Sequence, residues 1–99
     1  LQDLAPSRAV SINRAAALVR ARQPEAALSA LEALPAALVT AYQPYWATLA
    51  ETRRQLGMGE AAATAYDRAI ALAPDTATET FLKEKRRQLT EAPRHASHA

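Results

Sequence analysis

The chain has 99 residues, 26 of them alanine and two glycine, which suits one small domain built mostly from residues that favour helices. Its net charge of +2 is spread over both signs, which argues against the concentrated basic field that draws proteins to nucleic acid or to membrane surfaces. Because the chain has no cysteine, a disulfide framework and a thiolate zinc site are excluded.

The sequence carries no signal for a membrane or for export. No apolar run approaches the roughly 20 residues of a membrane-spanning helix, and the first residues, LQDLAP, lack the charged and apolar regions of a signal peptide. The absence of cysteine fits a reducing compartment, so we expect a cytoplasmic location. Because position 1 is leucine rather than methionine, we expect this chain to be part of a longer protein.

Six prolines indicate where helices begin and end, because proline is tolerated in the first turn of a helix but not in its interior. No segment alternates polar and apolar residues as a strand does. The connection 35–43 is predicted to be irregular, and its apolar PAALV sequence is expected to pack against the helices. The predicted helices lie near residues 7 to 22, 24 to 34, 44 to 56, 60 to 73 and 76 to 90.

The third predicted helix opens on YQPYW, which holds three of the chain's five aromatic residues. Helical spacing places Trp46 and Leu49 on an apolar face, whereas Tyr45 and Thr52 fall on a mostly polar one. The two adjacent aromatic side chains are therefore predicted to point apart, with Trp46 packed in the core rather than stacked on a ligand. Gly57 is predicted to end the helix and reverse the chain, because glycine adopts positive φ readily.

The fourth and fifth predicted helices complete the domain. Small alanines along the fourth helix allow close packing against the third. The fifth helix begins at a capping-box spacing, Thr76 to Glu79, with Asp75 as a competing N-cap, and has so few apolar positions that we expect it to cover the preceding pair. Residues 91 to 99 lack periodicity and are predicted to form a flexible tail, which leaves residues 1 to 90 as the domain. The apolar stripe of the fourth helix consists of Ala62, Ala65, Tyr66, Ala69 and Ile70.

A repeat of about 34 residues is the most informative pattern in the chain. In its clearer copy, large and small residues occupy the positions that the tetratricopeptide repeat requires where two helices cross and neighbouring repeats interlock. Arg53 stands where that pattern usually has an aromatic residue. A weaker unit precedes it at an offset of 35, which pairs Ala27 with Ala62 and Leu31 with Tyr66. The matching residues are Trp46, Leu49, Ala50, Ala62, Tyr66, Ala69 and Pro74.

The sequence therefore predicts an all-α fold of tetratricopeptide-like antiparallel hairpins, with about five helices and a C-terminal capping helix. Four segments resemble the C-terminal tetratricopeptide-like extension of bacterial extracytoplasmic-function RNA polymerase sigma factors. They are SINRAAAL, YQPYWATLAETRRQLG, EAAATAYDRAIAL and FLKEKRRQL, in this order within residues 6 to 90.

The resemblance implies that promoter-binding regions lie upstream and that this domain regulates transcription initiation through protein contacts. Its implied partners are the sigma factor's own core domains, RNA polymerase or a regulator. It implies no direct binding of this domain to nucleic acid.

Exposed polar residues on the first helix of each hairpin are candidate partner contacts, because these helices line the concave face of such repeats. Two tyrosines are candidates too, since an exposed tyrosine gives an interface a large apolar area. Each candidate has a simpler interpretation as a solvated or surface-covering residue, and Asn13 could equally hold the backbone of a neighbouring helix. The candidate partner-binding residues are Asn13, Arg20, Tyr42, Tyr45, Glu51, Arg54 and Gln55.

No residue pattern predicts an enzyme, a cofactor site or a metal site. The predicted domain has neither histidine nor cysteine, its carboxylates are scattered, and it lacks a glycine-rich phosphate loop. His95 and His98 lie in the predicted tail and are expected to be ordinary polar residues. The basic segment KEKRRQ, residues 83 to 88, is interpreted as a solvated helix face on which Glu79 can pair with Lys83.

Two other functions stay open at this point. One is a free-standing tetratricopeptide adaptor that binds a peptide, for which the upstream sequence would hold a start codon or further repeats instead of a helix-turn-helix region. The other is a nucleic-acid binder, whose affinity for DNA would fall steeply with salt.

Overall fold

The computed structural model describes the backbone of residues 4–98 and the side chains of residues 8–89. Six α-helices and no strand occur in this part of the chain, which confirms the all-α fold class. Among the described residues, no helix combines the length and the apolar character needed to cross a membrane. The helices are α1 (Leu4–Arg20), α2 (Pro24–Glu32), α3 (Ala36–Val39), α4 (Gln43–Gln55), α5 (Gly59–Ala71) and α6 (Thr76–His98).

Consecutive helices pack as hairpins, α1 against α2 and α4 against α5, and α6 lies against α5. Because α4 also contacts α1 and α2, it occupies the middle of the stack and joins the two hairpins. The buried apolar residues form one continuous cluster that extends from α1 to α6. This arrangement is the predicted pair of hairpins with a covering C-terminal helix.

α3 replaces part of the connection that was predicted to be irregular. It is a single helical turn of four residues, too short for hydrophobic periodicity to reveal it. Val39 is buried and Leu38 packs against the core, so the apolar segment does lie against the helices as expected. Six helices are therefore present in the described chain, where the sequence predicted about five.

The two sequence units bury equivalent residues. Ala27 and Ala62 are each fully buried, and at the next equivalent position Leu31 and Tyr66 are 1% and 2% exposed. Alanine where two helices cross lets them approach closely, and the larger side chain one turn later fills the core beside it. The 35-residue offset therefore corresponds to a structural repeat.

The first helix of each hairpin ends in the same backbone turn. After α4, Gly57 has a φ of 78° and the next N–H donates back to the Arg53 carbonyl at 2.9 Å. After α1, Arg22 has a φ of 63° and the next N–H donates to the Leu18 carbonyl, also at 2.9 Å. Glycine adopts this left-handed conformation freely, whereas a side chain is strained there. The first unit therefore carries backbone strain that the second avoids.

Substitutions at Gly57 and at Arg22 should change the stability of the fold in opposite directions. Gly57→Ala is expected to lower the free energy of unfolding by about 1 kcal/mol, through backbone strain alone, because a Cβ at this position meets no atom within 4 Å. Arg22→Gly is expected to raise it by up to about 1 kcal/mol, because it removes that strain. Urea unfolding followed by circular dichroism measures both effects.

Gly59→Ala is the matched control for Gly57→Ala. Gly59 starts α5, does not have a positive φ and also has no atom within 4 Å of its added Cβ, so alanine there should cost nothing. Equal losses for the two glycine variants would contradict the assignment of the effect to the left-handed turn.

α4 buries a second face, which corrects one expectation from the sequence. Thr52 belongs to the predicted polar face, yet its side chain is fully buried. Its hydroxyl donates to the Thr48 carbonyl of the same helix at 2.7 Å, so burial leaves this polar group satisfied. The prediction was wrong because periodicity assigned α4 a single apolar face, whereas this helix packs against α5 and also against α1 and α2.

The adjacent aromatic rings do not point apart, contrary to the prediction. Tyr45 and Trp46 are in edge-to-face contact, with ring centroids 5.0 Å apart. The two residues leave the helix in different directions, but rotation about their side-chain bonds brings the rings together. Trp46 packs against the core as predicted but stays partly exposed, and its indole N–H donates to the Thr40 carbonyl at 2.9 Å. Trp46 is therefore a packing residue at the edge of the core.

Arg53 occupies the repeat position that usually holds an aromatic residue. Its guanidinium reaches α5 and donates to the Ala61 carbonyl at 3.0 Å. Its Nε is buried without a hydrogen-bond partner among the described atoms. A polar link thus joins the two helices where the repeat pattern uses a ring, and it leaves one donor unsatisfied.

The start of α6 decides between the two caps that the sequence offered. The Asp75 carboxylate accepts a hydrogen bond from the Thr78 N–H at 2.7 Å, so Asp75 is the N-cap and Thr76 the first helical residue. The predicted pair of Glu79 and Lys83 is present, with 3.0 Å between the charged atoms. The Asp75 side chain therefore determines where α6 begins.

Two features of the rest of α6 were not predicted from the sequence. Leu82 is buried as expected for a covering helix, but Phe81 is 61% exposed. The helical backbone continues to His98 and so includes residues 91–98 of the predicted tail, in line with the alanine, glutamate and arginine of this segment. The flexibility proposed for that segment stays a prediction.

Candidate functional site

A groove runs between α1 and α4 and is closed on one side by α6. Its main cavity has a volume of about 310 Å³, and a second cavity of about 200 Å³ extends it along α1 and α4. α1 lines the groove with Val19 and Arg20, and α4 lines it with Ala47, Glu51 and Gln55. The three α4 residues follow one another at intervals of four and therefore share one helix face. The first helices of both hairpins thus face this groove.

The floor and the far wall of the groove come from α5 and α6. Tyr66 of α5 and Leu82 of α6 are buried beneath it. Phe81 and Lys85 also belong to α6 and line the same cavity, with the Phe81 ring largely exposed. The groove therefore combines an apolar floor with charged groups and one exposed aromatic ring.

Glu51 brings a carboxylate to the groove wall. Arg54 contacts both of its oxygens, with Nε 3.0 Å from Oε1, and the Tyr66 hydroxyl donates to Oε1 at 3.2 Å. Burial raises the pKa of Glu51, but the hydrogen bonds from Arg54 and Tyr66 and the charges of Arg54 and Lys85 together outweigh burial and lower the pKa below its ordinary value. Glu51 is therefore ionised at neutral pH, and its charge is already compensated.

The Tyr66 hydroxyl links α5 to this charged pair. Burial raises the pKa of Tyr66, and the neighbouring Glu51 charge raises it further, because an ionised phenol would be both desolvated and repelled. The hydroxyl therefore stays protonated and acts as a donor to Glu51. This bond joins the floor of the groove to its α4 wall.

The Glu51 carboxylate should make part of the fold's stability depend on pH. Because its folded pKa lies below its unfolded value, the stabilisation is fully present above the unfolded pKa and disappears as the pH falls through the folded pKa. Glu51→Gln is expected to cost roughly 0.5–1 kcal/mol of unfolding free energy at neutral pH and little in acid. Urea titrations at neutral and acid pH measure the difference.

Glu32→Gln provides the control for this pH effect. Glu32 is exposed at the end of α2 and forms no salt bridge among the described residues. Its replacement should change stability equally little at both pH values. If Glu51→Gln lost the same free energy in acid as at neutral pH, the charge of Glu51 would not be the source of the effect.

Two polar links join helices that border the groove. Gln55 Nε2 donates to the Val19 carbonyl at 3.1 Å and joins α4 to α1, although its Oε1 is buried without a partner among the described atoms. Arg86 joins α6 to α5 by a forked contact with Asp67, at 2.6 Å from Nε and 3.2 Å from Nη2. Contacts made within the chain therefore hold the helices around the groove in place.

Arg20 and Lys85 bring two cations to different walls of the groove. Neither forms a salt bridge with a carboxylate of the described residues. The Lys85 ammonium lies 5.9 Å from the centre of the Phe81 ring, the outer limit of a cation–π contact. The groove therefore carries positive charge that its own acid, Glu51, does not neutralise.

Among the described residues of α6, the basic side chains other than Lys85 contact carboxylates that do not line the main cavity, Arg86 by its contact with Asp67. Lys83 pairs with Glu79, and Arg87 pairs with Glu84. These pairs agree with the interpretation of KEKRRQ as a solvated helix face, with the exception of Lys85, which lines the groove.

Three of the seven predicted partner-binding residues come together in the groove, namely Arg20, Glu51 and Gln55. Arg54 lies beside them, bound to Glu51, with 38% of its side chain exposed. Asn13 is exposed on α1 and does not line the groove. The structure thus separates the polar candidates into one cluster and one isolated residue.

The two tyrosine candidates lie outside the groove and are partly buried. The Arg8 guanidinium lies 3.8 Å from the centre of the Tyr42 ring and also donates to the Leu38 carbonyl at 3.0 Å. Tyr45 contacts the Trp46 ring. Both rings therefore pack within the domain near the start of α4, and their contact with a partner stays a prediction.

Six groove residues are absent from the sequence-based candidates, and three of these six, Tyr66, Phe81 and Lys85, bring a polar group or an exposed ring to the groove. Tyr66 was assigned to the core, correctly, but its hydroxyl also reaches the groove wall. Phe81 adjoins Leu82, and the sequence alone does not show which of the two is buried, since adjacent residues are both buried elsewhere in the chain, as Leu49 and Ala50 are. Lys85 follows Phe81 by four residues and therefore lies on the same face.

Comparison with known proteins gives one similarity and no activity. The chain is similar to an uncharacterized protein of Rhizobium meliloti (strain 1021), with 37% identity over 93 residues. The match covers 94% of this chain, which spans only 22% of the length of that relative. No family model matches the chain, and no solved structure matches it. A similar stretch thus occurs within a longer bacterial protein.

Proposed function

We propose that this chain is a regulatory, protein-interacting domain of a bacterial extracytoplasmic-function sigma factor, located in the cytoplasm and acting on transcription initiation through protein contacts. The groove between α1, α4 and α6 carries the interaction part of the proposal, because it gathers Arg20, Glu51 and Gln55 around an apolar floor. The four segments that resemble sigma-factor extensions support the transcription part.

The chemistry of the groove favours binding over catalysis. Its carboxylate, Glu51, has a lowered pKa and is held by Arg54 and Tyr66, which makes it a poor general base. The lining residues include no cysteine, serine or histidine that a neighbouring base could activate. A preformed apolar groove with charges at its rim is typical of a surface that receives another protein.

The relative from Rhizobium meliloti supports a role as one domain among others. In that protein a stretch similar to this chain occupies 22% of the length, as expected for a module attached to further domains. In a sigma factor those domains would bind promoter DNA and RNA polymerase. We propose these regions, RNA polymerase or a regulator as the partners.

Transcription in vitro tests the sigma-factor role. The coding sequence upstream of Leu1 should encode a helix-turn-helix and helices that bind RNA polymerase. Transcription by RNA polymerase is then measured with the longer protein and with a version of it that ends before this domain. Both are tested on promoters that the longer protein selects. We expect the rates of initiation to differ beyond the scatter of replicates, with equal amounts of folded protein in both reactions.

Two results would redirect the proposal. Equal initiation rates with and without the domain, or an upstream sequence that holds only a start codon or further repeats, would favour a free-standing adaptor that binds a peptide. Binding of the isolated domain to promoter DNA, with an affinity that falls steeply with salt, would favour direct recognition of nucleic acid.

A further inference from the structure

We propose that the groove binds an acidic, apolar peptide segment of a protein partner, with apolar side chains seated between α1, α4 and α6 and carboxylates set against Arg20 and Lys85. The inference rests on the proposed function only in taking this domain to bind protein. It adds the chemistry of the partner and the position where the partner docks.

The floor of the groove supplies the apolar half of this recognition. Val19, Tyr66 and Leu82 are buried beneath it, and Ala47 leaves a recess because its side chain is a single methyl group. Phe81 is 61% exposed beside the recess. A volume of about 310 Å³ lies at the lower limit for small-molecule sites, so it suits one or two side chains of a peptide. Their burial would remove apolar surface on both partners from water.

The charges at the rim of the groove determine whether an acidic or a basic partner fits. Arg20 and Lys85 form no salt bridge with the described carboxylates, whereas both oxygens of Glu51 already accept hydrogen bonds. An incoming carboxylate therefore meets two cations that no described carboxylate contacts directly, of which Lys85 also acts on Glu51 through its charge. An incoming ammonium group meets two like charges and an acid whose oxygens are in use, so complementarity favours an acidic segment.

A nucleic acid fits the same groove less well. Single-stranded nucleic acid needs a row of cations along its phosphates and several rings on which bases stack. Phe81 is the one exposed ring that lines the main cavity, and the neighbouring Lys83 and Arg86 are paired with carboxylates. An apolar floor between two cations is better matched by a peptide with mixed leucine-like and acidic side chains.

The groove is already formed before any partner arrives. Gln55 holds α4 to α1, and the contact of Arg86 with Asp67 holds α6 to α5. A partner therefore loses little free energy in ordering the walls, so a short segment can bind measurably.

A peptide titration tests this proposal on the 99-residue chain. The probe is a short synthetic peptide in which pairs of leucines alternate with pairs of glutamates, with both ends capped to remove their charges. Amide NMR spectra should show saturable shifts at Ala47, Leu82 and Lys85, with a dissociation constant on the order of 100 μM. The same peptide with glutamine for glutamate should bind several-fold more weakly, and the version with lysine should not bind.

Paired variants separate the groove from general charge effects. Arg20→Gln and Lys85→Gln should each weaken the acidic peptide about two- to fivefold. Arg14→Gln and Lys83→Gln remove the same charges from the same helices outside the main cavity and should leave its affinity unchanged. Phe81→Ala alters an exposed side chain, so the fold should survive, and it should weaken binding about tenfold.

Several outcomes would overturn the proposal. They are the absence of a saturable shift with the acidic peptide, equal affinity for the lysine peptide, and equal effects of groove and control variants. Displacement of the acidic peptide by oligothymidine would assign the groove to nucleic acid instead. The peptide titration and the transcription experiment test different proposals. If the peptide does not bind but the domain changes initiation, only the groove proposal is rejected. If the peptide binds but the domain has no effect on initiation, only the sigma-factor role is rejected.

Discussion

The Tyr66→Ala variant is expected to lose about 3–5 kcal/mol of its free energy of unfolding. Tyr66 is 2% exposed and has the largest volume among the fully buried side chains of residues 8–89, so its truncation leaves a cavity between α5 and its neighbours. A domain of 99 residues has a total stability of roughly 5–15 kcal/mol, so this change removes a large share of it. It also opens the floor of the groove and takes a donor from Glu51.

Urea unfolding, followed both by circular dichroism and by the fluorescence of Trp46, measures this loss, since Trp46 is the single tryptophan. Tyr66→Phe is the matched control because it keeps the ring and removes only the hydroxyl that donates to Glu51 at 3.2 Å. The control should lose about 0.5–1.5 kcal/mol. If Tyr66→Ala lost no more than Tyr66→Phe, the ring would not be packed in the core.

The position of Tyr66 could be predicted because the repeat makes a physical demand on the sequence. Two helices that cross closely need a small residue at the crossing and a large one beside it, and the sequence meets this demand twice, with Ala27 and Leu31 and again with Ala62 and Tyr66. The end of α4 at Gly57 was predictable for a similar reason, and Asp75 was one of two candidate caps for α6, since both residues satisfy backbone groups that the helix itself leaves unpaired.

Features that depend on a third helix were harder to predict. Thr52 is buried because α4 packs on two sides, a fact about neighbours that periodicity within α4 does not contain. Arg22 takes the left-handed position that Gly57 holds in the other unit, and nothing in the residue type arginine signals a positive φ. Only alignment of the two units at their 35-residue offset would have indicated this turn.

The residues of the candidate site also differ in how far the sequence could predict them. Arg20 and Gln55 share one position of the two repeat units, so a concave face that contains both follows from the repeat. Lys85 and Phe81 come from α6, which lies outside the repeat, and their place in the groove depends on how α6 packs against α5. The sequence therefore predicted one wall of the groove and missed the wall that gives it an exposed ring and a second cation.

Leu31→Ala is the companion prediction in the first hairpin, with an expected loss of about 2–5 kcal/mol of unfolding free energy. Leu31 is 1% exposed and occupies the position equivalent to Tyr66. α2 packs against α1 and also against α4, so a cavity at Leu31 should weaken both hairpins together. Circular dichroism reports on all helices, whereas Trp46 in α4 reports on the second hairpin.

Both probes should therefore shift to lower urea concentration by the same amount in Leu31→Ala, because the stack unfolds as one cooperative unit. Val10→Ala is the control, since Val10 is 62% exposed on α1 and its truncation should change stability by less than about 0.5 kcal/mol. A shift in circular dichroism with an unchanged Trp46 transition would mean that the first hairpin unfolds alone. In that case the groove, whose α1 wall includes Val19 and Arg20, would lose that wall before the second hairpin unfolds.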